Sequence, residues 1–468
     1  MKYLIALAAS LCIFQAYASR SVTPLTRITL NLSTFEKEGF TATKAPYYDY
    51  IRGNPTHAIF DVSGDNLIVA GDNALLLQRL DSKTKTFAEH FIFSYKDILK
   101  VSDIYVLNVS FVTPEKILIM YETHAHSTYV KMLALQNNTI TGLQLAQLHG
   151  DQKYSEYLFY SIQVIKQTIF LTPIGPDTPH PWSSEHPYYA LDMDGKYLDQ
   201  SPSNMIKMAV NAQGTYFLSN DHADQFFAFD FTAKKFNEIP IPPGHIQYGY
   251  RMGTTGVFTS TRFIENSSSH DSDTGKNTTW IEFKDYSGYS GHTVQSLAIP
   301  GDVTLNYFTF GNRAVIYKST PPFQVFEKVL TDDSPFFENL KLKEKLATSA
   351  QYADAIRISG DGLKLHGKNK DLIYFPLQNK IIESGGLRSI VAPFFIASTG
   401  NYLFAYTLST LNICDIYDRN GNYIKYTEQS SWDDERWTPK INDHYIVNYG
   451  YGFFQGEDTN YMNVRFLD

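Results

Sequence analysis

The chain has 468 residues, of which 43% are apolar and 15% aromatic, with 40 Lys and Arg against 48 Asp and Glu for a formal charge of -8. The acidic excess is mild and spread along the sequence, which excludes a nucleic-acid partner held by clustered Lys and Arg. Two cysteines occur, Cys12 and Cys414, so no disulfide framework staples the fold and its core has to stand by size alone.

The first stretch, MKYLIALAASLCIFQAYASR, has one positive charge at Lys2, an apolar run from Tyr3 to Phe14, and Ala16 and Ala18 flanking Tyr17. That pattern predicts a signal peptide over residues 1–18, cleaved after Ala18. The run is shorter than the roughly 20 apolar residues of a membrane span, and Arg20 follows at once. No later stretch reads as a transmembrane segment, and the C-terminal YMNVRFLD is neither a retention signal nor a lipid-anchor tail. The expectation is an extracellular glycoprotein, secreted or delivered to the lumen of the secretory or endolysosomal pathway. Asn-x-Ser/Thr triplets stand at Asn31, Asn108, Asn137, Asn266 and Asn277; Asn137 and the loop pair Asn266 and Asn277 are the expected glycosylation sites, whereas Asn108 lies in an apolar run.

From residue 57 onward, apolar residues alternate or bunch in runs of four to eight, punctuated by Gly, Asp, Asn and Pro, which is the pattern of strands and tight turns. One hairpin type appears in HAIFDVSGDNLIVAG, NVSFVTPEKILIMYE, SIQVIKQTIFLTPI, KMAVNAQGTYFLSN, GYRMGTTGVFTST, YFTFGNRAVIYKS, AIRISGDGLKLHG and FFIASTGNYLFAYT. After most of these a second hairpin follows, as in LLLQRLDSKTKTFAEHF, VKMLALQNNTITGLQL, YYALDMDGKYLDQ, FFAFDFTAKKFNEIPI, WIEFKDYSGYSGHTVQSL, LIYFPLQNKIIE and ICDIYDRNGNYIKY. The tips carry Asp, Asn or Gly, which tolerate positive φ or bond their own backbone. The pairs recur about every 48 residues, the period of a four-stranded unit with long loops. Helix is expected in two places, YKDILKVS and SPFFENLKLKEKLATSA, where Ser334 caps and Pro335 fits the first turn. Cys414, in the alternating run TLNICDIYD, reads as a buried, inert thiol.

Runs such as YALDMDGKYLDQ and ICDIYDRNGNYIKY resemble the outer hairpin of a β-propeller blade, and DVSGDNLIVAG resembles the inner one, as in propellers of the WD40 and YVTN-like kind. The resemblance implies an all-β fold, a single β-propeller domain over residues 19–468 with four-stranded blades; the repeats count up to nine, but the sixth, TLNYFTFGNRAVIYKS, has a poor outer hairpin and is expected to merge with a neighbour, which centres the number on eight, with seven next. The other architecture consistent with the pattern is two stacked β domains. No Gly-His pair recurs in register, and Trp432-Asp433 sits in the polar stretch SSWDDERW, so no functional residue transfers from WD40 proteins. A ring must close or expose two bare edges. The last unit, HYIVNYGYGFFQGEDTNYMNVRFLD, holds about three strands, and PLTRITLNLS near the N-terminus has no local partner, so residues 25–32 are predicted to supply the outermost strand of the C-terminal blade.

In such a unit the loops between second and third strands gather on one face. They include GDNA, ETHAHS, PIGPDTPHPWSSEHP, NDHADQ and ENSSSHDSDTGKN, rich in carboxylates and imidazoles. Trp182, His186, Asp221, His222 and Asp224 are the expected ligand-binding residues, with Trp182 held in a Pro-rich loop at low entropic cost. In YETHAHS, a continuing strand would put Glu122, His124 and His126 on one side at i, i+2 and i+4, a spacing that suits a divalent metal. There is no Gly-x-Ser-x-Gly, His-Glu-x-x-His or dinucleotide glycine fingerprint. The leading expectation is a secreted, non-enzymatic repeat protein whose loop-rich channel face binds a protein or glycan partner. No cofactor goes with that reading. The alternative is a metal-assisted, lactonase-like hydrolase using Glu122, His124 and His126 with Asp221 or His222, and a third is a structural coat protein with an exposed aromatic patch.

Overall fold

The computed structural model describes residues 25–43, 59–124, 127–149, 159–174, 187–202, 205–210, 216–220, 226–239, 256–257, 262–271, 273–274, 276–285, 292–300, 305–310, 313–318, 325–329, 341–342, 353–359, 361–367, 370–385, 394–407, 412–429, 439–454 and 457–467. Strand β1 (Arg27–Asn31) leads into a 3-10 helix over Leu32–Glu38. Next come four-stranded meanders in sequence order: β2 (Phe60–Ser63), β3 (Asn66–Ala70), β4 (Ala74–Asp81) and β5 (Thr86–Ser94), then β6 (Ile104–Thr113), β7 (Lys116–Thr123), β8 (Thr128–Gln136) and β9 (Thr139–His149). The pattern repeats in β10 (Phe159–Ile165), β11 (Thr168–Ile174), β12 (Tyr189–Asp192) and β13 (Tyr197–Gln200), and in β14 (Met205–Val210), β15 (Tyr216–Asn220), β16 (Phe226–Asp230) and β17 (Lys235–Ile239). It continues through β18 (Gly256–Val257), β19 (Arg262–Asp271), β20 (Lys276–Asp285) and β21 (His292–Pro300), and through β22 (Leu305–Phe310), β23 (Arg313–Lys318), β24 (Val325–Val329) and β25 (Lys341–Leu342). Two further meanders are β26 (Ala353–Ser359), β27 (Gly362–Gly367), β28 (Lys370–Phe375) and β29 (Lys380–Gly385), and β30 (Phe394–Ser398), β31 (Tyr402–Thr407), β32 (Asn412–Asp418) and β33 (Tyr423–Gln429). The last sheet holds β34 (Lys440–Ile441), β35 (Tyr445–Phe454), β36 (Glu457–Phe466) and, on its outer edge, β1.

The described residues thus form nine four-stranded antiparallel sheets, where the sequence pattern centred on eight units. The sixth repeat, with its weak outer hairpin, keeps a sheet of its own by adding the two-residue β25. By internal contacts the chain divides into two compact units. A terminal unit comprises Thr26–Met208, Gly214–Ile241 and Trp432–Asp468; a central unit comprises Met1–Leu25, Ala209–Gln213 and Pro242–Ser431.

In the terminal unit, inner strands are apolar throughout because both of their faces are covered. Along β7, Ile117, Ile119 and Tyr121 enter one apolar cluster, which includes residues of β2 to β4, while the alternate residues Leu118 and Met120 enter a second cluster with Ile169, Leu171 and Tyr189. A strand whose side chains alternate between two packed seams cannot carry a polar face, so it reads as a continuous apolar run rather than as an alternating one. Outer strands are wetter: β5 carries no fully buried residue, whereas β4 is buried at six of its eight positions. The register between third and fourth strands shifts at a bulge in five sheets, at Gln78/Leu80, Lys131/Leu133, Ala190/Leu191, Phe283/Lys284 and Ile416/Tyr417. Bulges twist an edge strand and discourage pairing with another chain, which matters most for β9, whose eleven residues include no Asp, Glu, Lys, Arg or Pro. At the bulge in β4–β5, the buried Gln78 side chain donates to the carbonyls of Arg79 and Glu89 at 2.9 and 3.2 Å, replacing ladder bonds that the bulge removes.

Carboxylates tie neighbouring sheets at their inner strands. Asp61 on β2 accepts from Ser110 Oγ (2.9 Å) and the Phe111 N–H (2.8 Å) on β6, and lies 3.9 Å from Lys440 Nζ on β34. In the central unit, Asp361 accepts from the Ser398 N–H and hydroxyl at 2.7 and 2.8 Å. The stretch YALDMDGKYLDQ shows why an apolar run stops at Asp and restarts. Asp192 Oδ1 accepts the N–H of Asp194 (2.9 Å) and of Lys196 (2.8 Å), and Gly195, at φ +84°, lets the chain reverse. Asp418, Asn420, Gly421 and Asn422 repeat this turn between β32 and β33. Asp81 and Asp230 build a second kind of tip with Lys85 and Lys234 at positive φ. Donated hydrogen bonds hold the Asp81, Asp230 and Asp418 carboxyls below their ordinary value, led by the Thr84 N–H, the Ala233 N–H and the Asn422 side chain respectively.

Some expectations need correction. ENSSSHDSDTGKN is not a loop: β19 and β20 run through it in a ten-pair ladder with Asp273 and Thr274 in the turn, because cross-strand pairing rather than a segment's own polarity decides whether it is a strand. Asn266 and Asn277 therefore lie in strands, opposite Ile281 and His270. The inner hairpin expected within GYRMGTTGVFTST instead starts at β18 and returns along β19. In the second helix candidate, Lys341 and Leu342 are strand, paired with Glu327 and Phe326 by the needs of their sheet, and residues 331–340 and 343–350 lie outside the described residues. YKDILKVS does hold a helical turn, Tyr95–Ile98.

Strand β1 pairs with β36 over five residues, Arg27 with Arg465 through Asn31 with Tyr461, as its lack of a local partner implied. Thr29 Oγ1 donates to Asn463 Oδ1 at 2.6 Å, and the Phe466 N–H donates to the Thr26 carbonyl at 3.0 Å. Beyond β1, the chain lays Leu32, Phe35 and Phe40 into the cluster shared with β2 to β4, and Ala42 bridges Gly71. A Cβ on Gly71 would stand 2.3 Å from the Thr41 carbonyl oxygen and 2.7 Å from the Phe40 ring. Gly71→Ala is therefore expected to lose about 1–3 kcal/mol of stability by forcing the N-terminal segment off the sheet, read as a lower urea midpoint with an unchanged slope.

Candidate functional site

Topology puts the loops between second and third strands at one end of each sheet, together with the connections that lead to the next sheet. In the terminal unit that end carries residues 71–73, the helical turn Tyr95–Ile98, and residues 124–127. The first of these loops is not open. Asn73 accepts the Thr41 N–H at 2.9 Å and donates to the Gly39 carbonyl at 2.9 Å, while the Asp72 N–H donates to the Thr41 carbonyl at 2.8 Å. Tyr95 donates to the Gly71 carbonyl and Tyr449 to the Thr43 carbonyl, both at 2.9 Å. Burial pushes both phenols well above their ordinary value, and the negative charge of the nearby, exposed Asp72 adds to the effect.

The second loop is different. Strand β7 ends at Thr123, whose N–H closes a turn onto the Ser127 carbonyl at 3.1 Å, and β8 starts at Thr128. The alternation that would bring Glu122, His124 and His126 to one side therefore stops after Glu122, because the chain must reverse within four residues. Glu122 is half-buried on the strand, His124 is exposed in the turn, and His126 lies outside the described residues. Among the described residues, no three His, Cys, Asp or Glu side chains are grouped so as to hold a metal ion. Trp182, His186, Asp221, His222 and Asp224 also lie outside them.

What the geometry brings together instead is a row across the second meander. Tyr105 on β6 stands opposite Glu122 on β7, and Glu122 opposite Thr128 on β8. Directly opposed residues share a face with Cβ atoms about 5 Å apart. Tyr105 is 40% exposed, and it lies beside a carboxylate at the mouth of the seam that Leu118, Met120, Val130 and Tyr189 fill below. On the opposite face, Tyr121 and Tyr129 stack with centroids 5.6 Å apart and an interplanar angle of 21°. Tyr189 donates to the Leu148 carbonyl at 2.9 Å, fixing the start of β12 just after the Pro-rich loop. Sequence reading missed Tyr105 because the register slips at Val106/Asn108, so simple alternation along IYVLNVS assigns faces wrongly.

No family model matches the chain, and no curated protein matches it. Among solved structures, it is similar to the Dos1 propeller, at 12% identity over 78% of this chain and 95% of that one with a TM-score of 0.37. It is also similar to Sqt1 of Saccharomyces cerevisiae (8% identity, 89% and 97% covered, TM-score 0.33) and to the N-terminal domain of Nup159 (11%, 87% and 98%, TM-score 0.30). The resemblance is to β-propellers, at the level of the fold.

Burial, followed by the neighbouring Tyr129, pushes Tyr121 up to about 12 from an ordinary value of 10.0. A phenol whose folded value is raised favours folding fully below the unfolded value, and the gain fades as pH rises through the folded one. Melting temperature is thus expected to fall between about pH 10 and 12, and Tyr121→Phe, which cannot ionise, to make that fall shallower while the raised Tyr95 and Tyr449 keep part of it; calorimetry across this range checks it.

Proposed function

We propose that this protein is an exported binding module of the β-propeller kind, its last blade completed by β1, that recognises a protein or glycan partner through the loop-bearing end of its sheets. The observation that carries the reading is the Tyr105–Glu122 pair: a 40% exposed aromatic ring opposite a half-buried carboxylate on paired strands, backed by the buried Thr128, at the end of the second meander that bears its second-to-third-strand turn. An aromatic face stacks on apolar sugar or peptide surface while the carboxylate accepts hydroxyl or amide donors, and strand mounting keeps the ordering cost low. Export rests on the N-terminal pattern, and the protein leaving a eukaryotic host is expected to begin at Ser19.

The test is binding of the secreted protein to a glycan array and, separately, crosslinking to proteins of the host's extracellular fluid. Tyr105→Ala is expected to weaken the captured interaction about tenfold or more, the loss of one central aromatic contact, with the melting temperature unchanged. A partner bound equally well by the variant and the native protein would refute the assignment of this row.

A further inference from the structure

Three of the five Asn-x-Ser/Thr triplets are held in three different states. Asn108 lies inside β6, 5% exposed and opposite Met120, where no oligosaccharide fits without parting the sheets. Asn31 caps the 3-10 helix: its Oδ1 accepts the Ser33 N–H at 3.0 Å and the Ser33 hydroxyl at 2.9 Å, so the triplet's own hydroxyl is turned onto the asparagine. Asn137 is exposed at the tip joining β8 to β9, with φ +47° there and +62° at Asn138, and Thr139 beside it is exposed too. The tip is anchored by the neighbour. Asn138 accepts from Arg79 and donates to Glu89 Oε1 at 3.1 Å, which ties the tip to the adjacent sheet and leaves Asn137 facing water.

We infer that Asn137 carries an N-linked glycan in the exported protein, that Asn31 and Asn108 do not, and that the glycan stands at the end of the sheets remote from the binding loops. This rests on the export reading above. In the transfer, Asn137 Nδ2 forms a bond to the anomeric carbon of a lipid-linked oligosaccharyl pyrophosphate; the bond from that carbon to the pyrophosphate oxygen breaks, the lipid pyrophosphate leaves, and Nδ2 gives up one proton. Strand β8 separates the tip from the turn that follows Thr123 by nine residues, or about 30 Å at 3.3 Å per residue. A hydrated oligosaccharide there covers the outer hairpin tips of two sheets and leaves the Tyr105 row uncovered. Asn266 and Asn277, in β19 and β20, fall outside the inference.

The experiment is secretion of the full chain from cultured eukaryotic cells, removal of N-glycans by peptide N-glycosidase in heavy-oxygen water, and peptide mapping with N-terminal sequencing of the same sample. Expected are a chain beginning at Ser19, heavy-oxygen Asp at position 137, and unmodified Asn31 and Asn108. Thr139→Ala should abolish the mark at 137 with no change in melting temperature; replacing Asn137 itself would confound the result, because few residues tolerate its positive φ. A chain beginning at Ser19 with Asn137 bare, or a mark at Asn31 or Asn108, overturns the inference while leaving export intact. A cell-retained chain that keeps residues 1–18 overturns the export reading and this inference with it.

Discussion

The structure depends on one long-range pairing, that of β1 with β36. The two strands lie at opposite ends of the sequence, yet they share a five-residue ladder and the Thr29–Asn463 bond. Without β1, the Tyr461–Arg465 stretch of β36 would present its outward N–H and C=O groups unpaired to water and to other chains. The pairing also commits the adjoining segment: Leu32, Phe35 and Phe40 reach the apolar cluster of the next sheet, and Asn73 then holds the backbone at Gly39 and Thr41. Residues 27–43 thus join the last sheet of the chain to the first. Loop-closure entropy makes such a contact slow to form, so it is expected to come late in folding and to make the terminal unit cooperative.

Within that frame, the repeated meander solves one packing problem many times. Inner strands alternate their side chains between two seams, outer strands trade burial for bulges, and Asp residues bond either the turn they sit in or the neighbouring inner strand. Asp61 serves three sheets from one carboxylate. Such a scaffold leaves its variability to the loop-bearing end, the general division of labour between a rigid frame and the segments that carry function.

Much of this was legible in the sequence. Hairpin tips could be read because Asp-x-Asp-Gly and Asp-x-Asn-Gly carry their turn in their own side chains, and the missing fourth strand of the last sheet could be assigned because an unpaired edge is costly. The rest depended on context. Nothing local in ENSSSHDSDTGKN tells a polar loop from a polar ladder, since the deciding factor is the strand opposite. The Glu122, His124 and His126 spacing counted only if the strand ran on, and the turn closed by Thr123 and Ser127 is a tertiary choice. Tyr105 was hidden by a bulge, which shifts faces without leaving a mark in the pattern. Asn137 stood out from sequence, but what sets it apart from Asn31 and Asn108 is burial and capping, which no triplet encodes.

The pairing of the chain's two ends is tested most directly by a crosslink. Thr29→Cys with Asn463→Cys places two thiols on directly opposed residues, within disulfide range, while the native Cys414 is buried. Air oxidation of the folded double variant is expected to give a reducible intramolecular bond, seen as a faster-migrating band in non-reducing electrophoresis and as a mass of two hydrogens less. Folded, oxidised samples in which both new thiols remain open to maleimide would contradict the account.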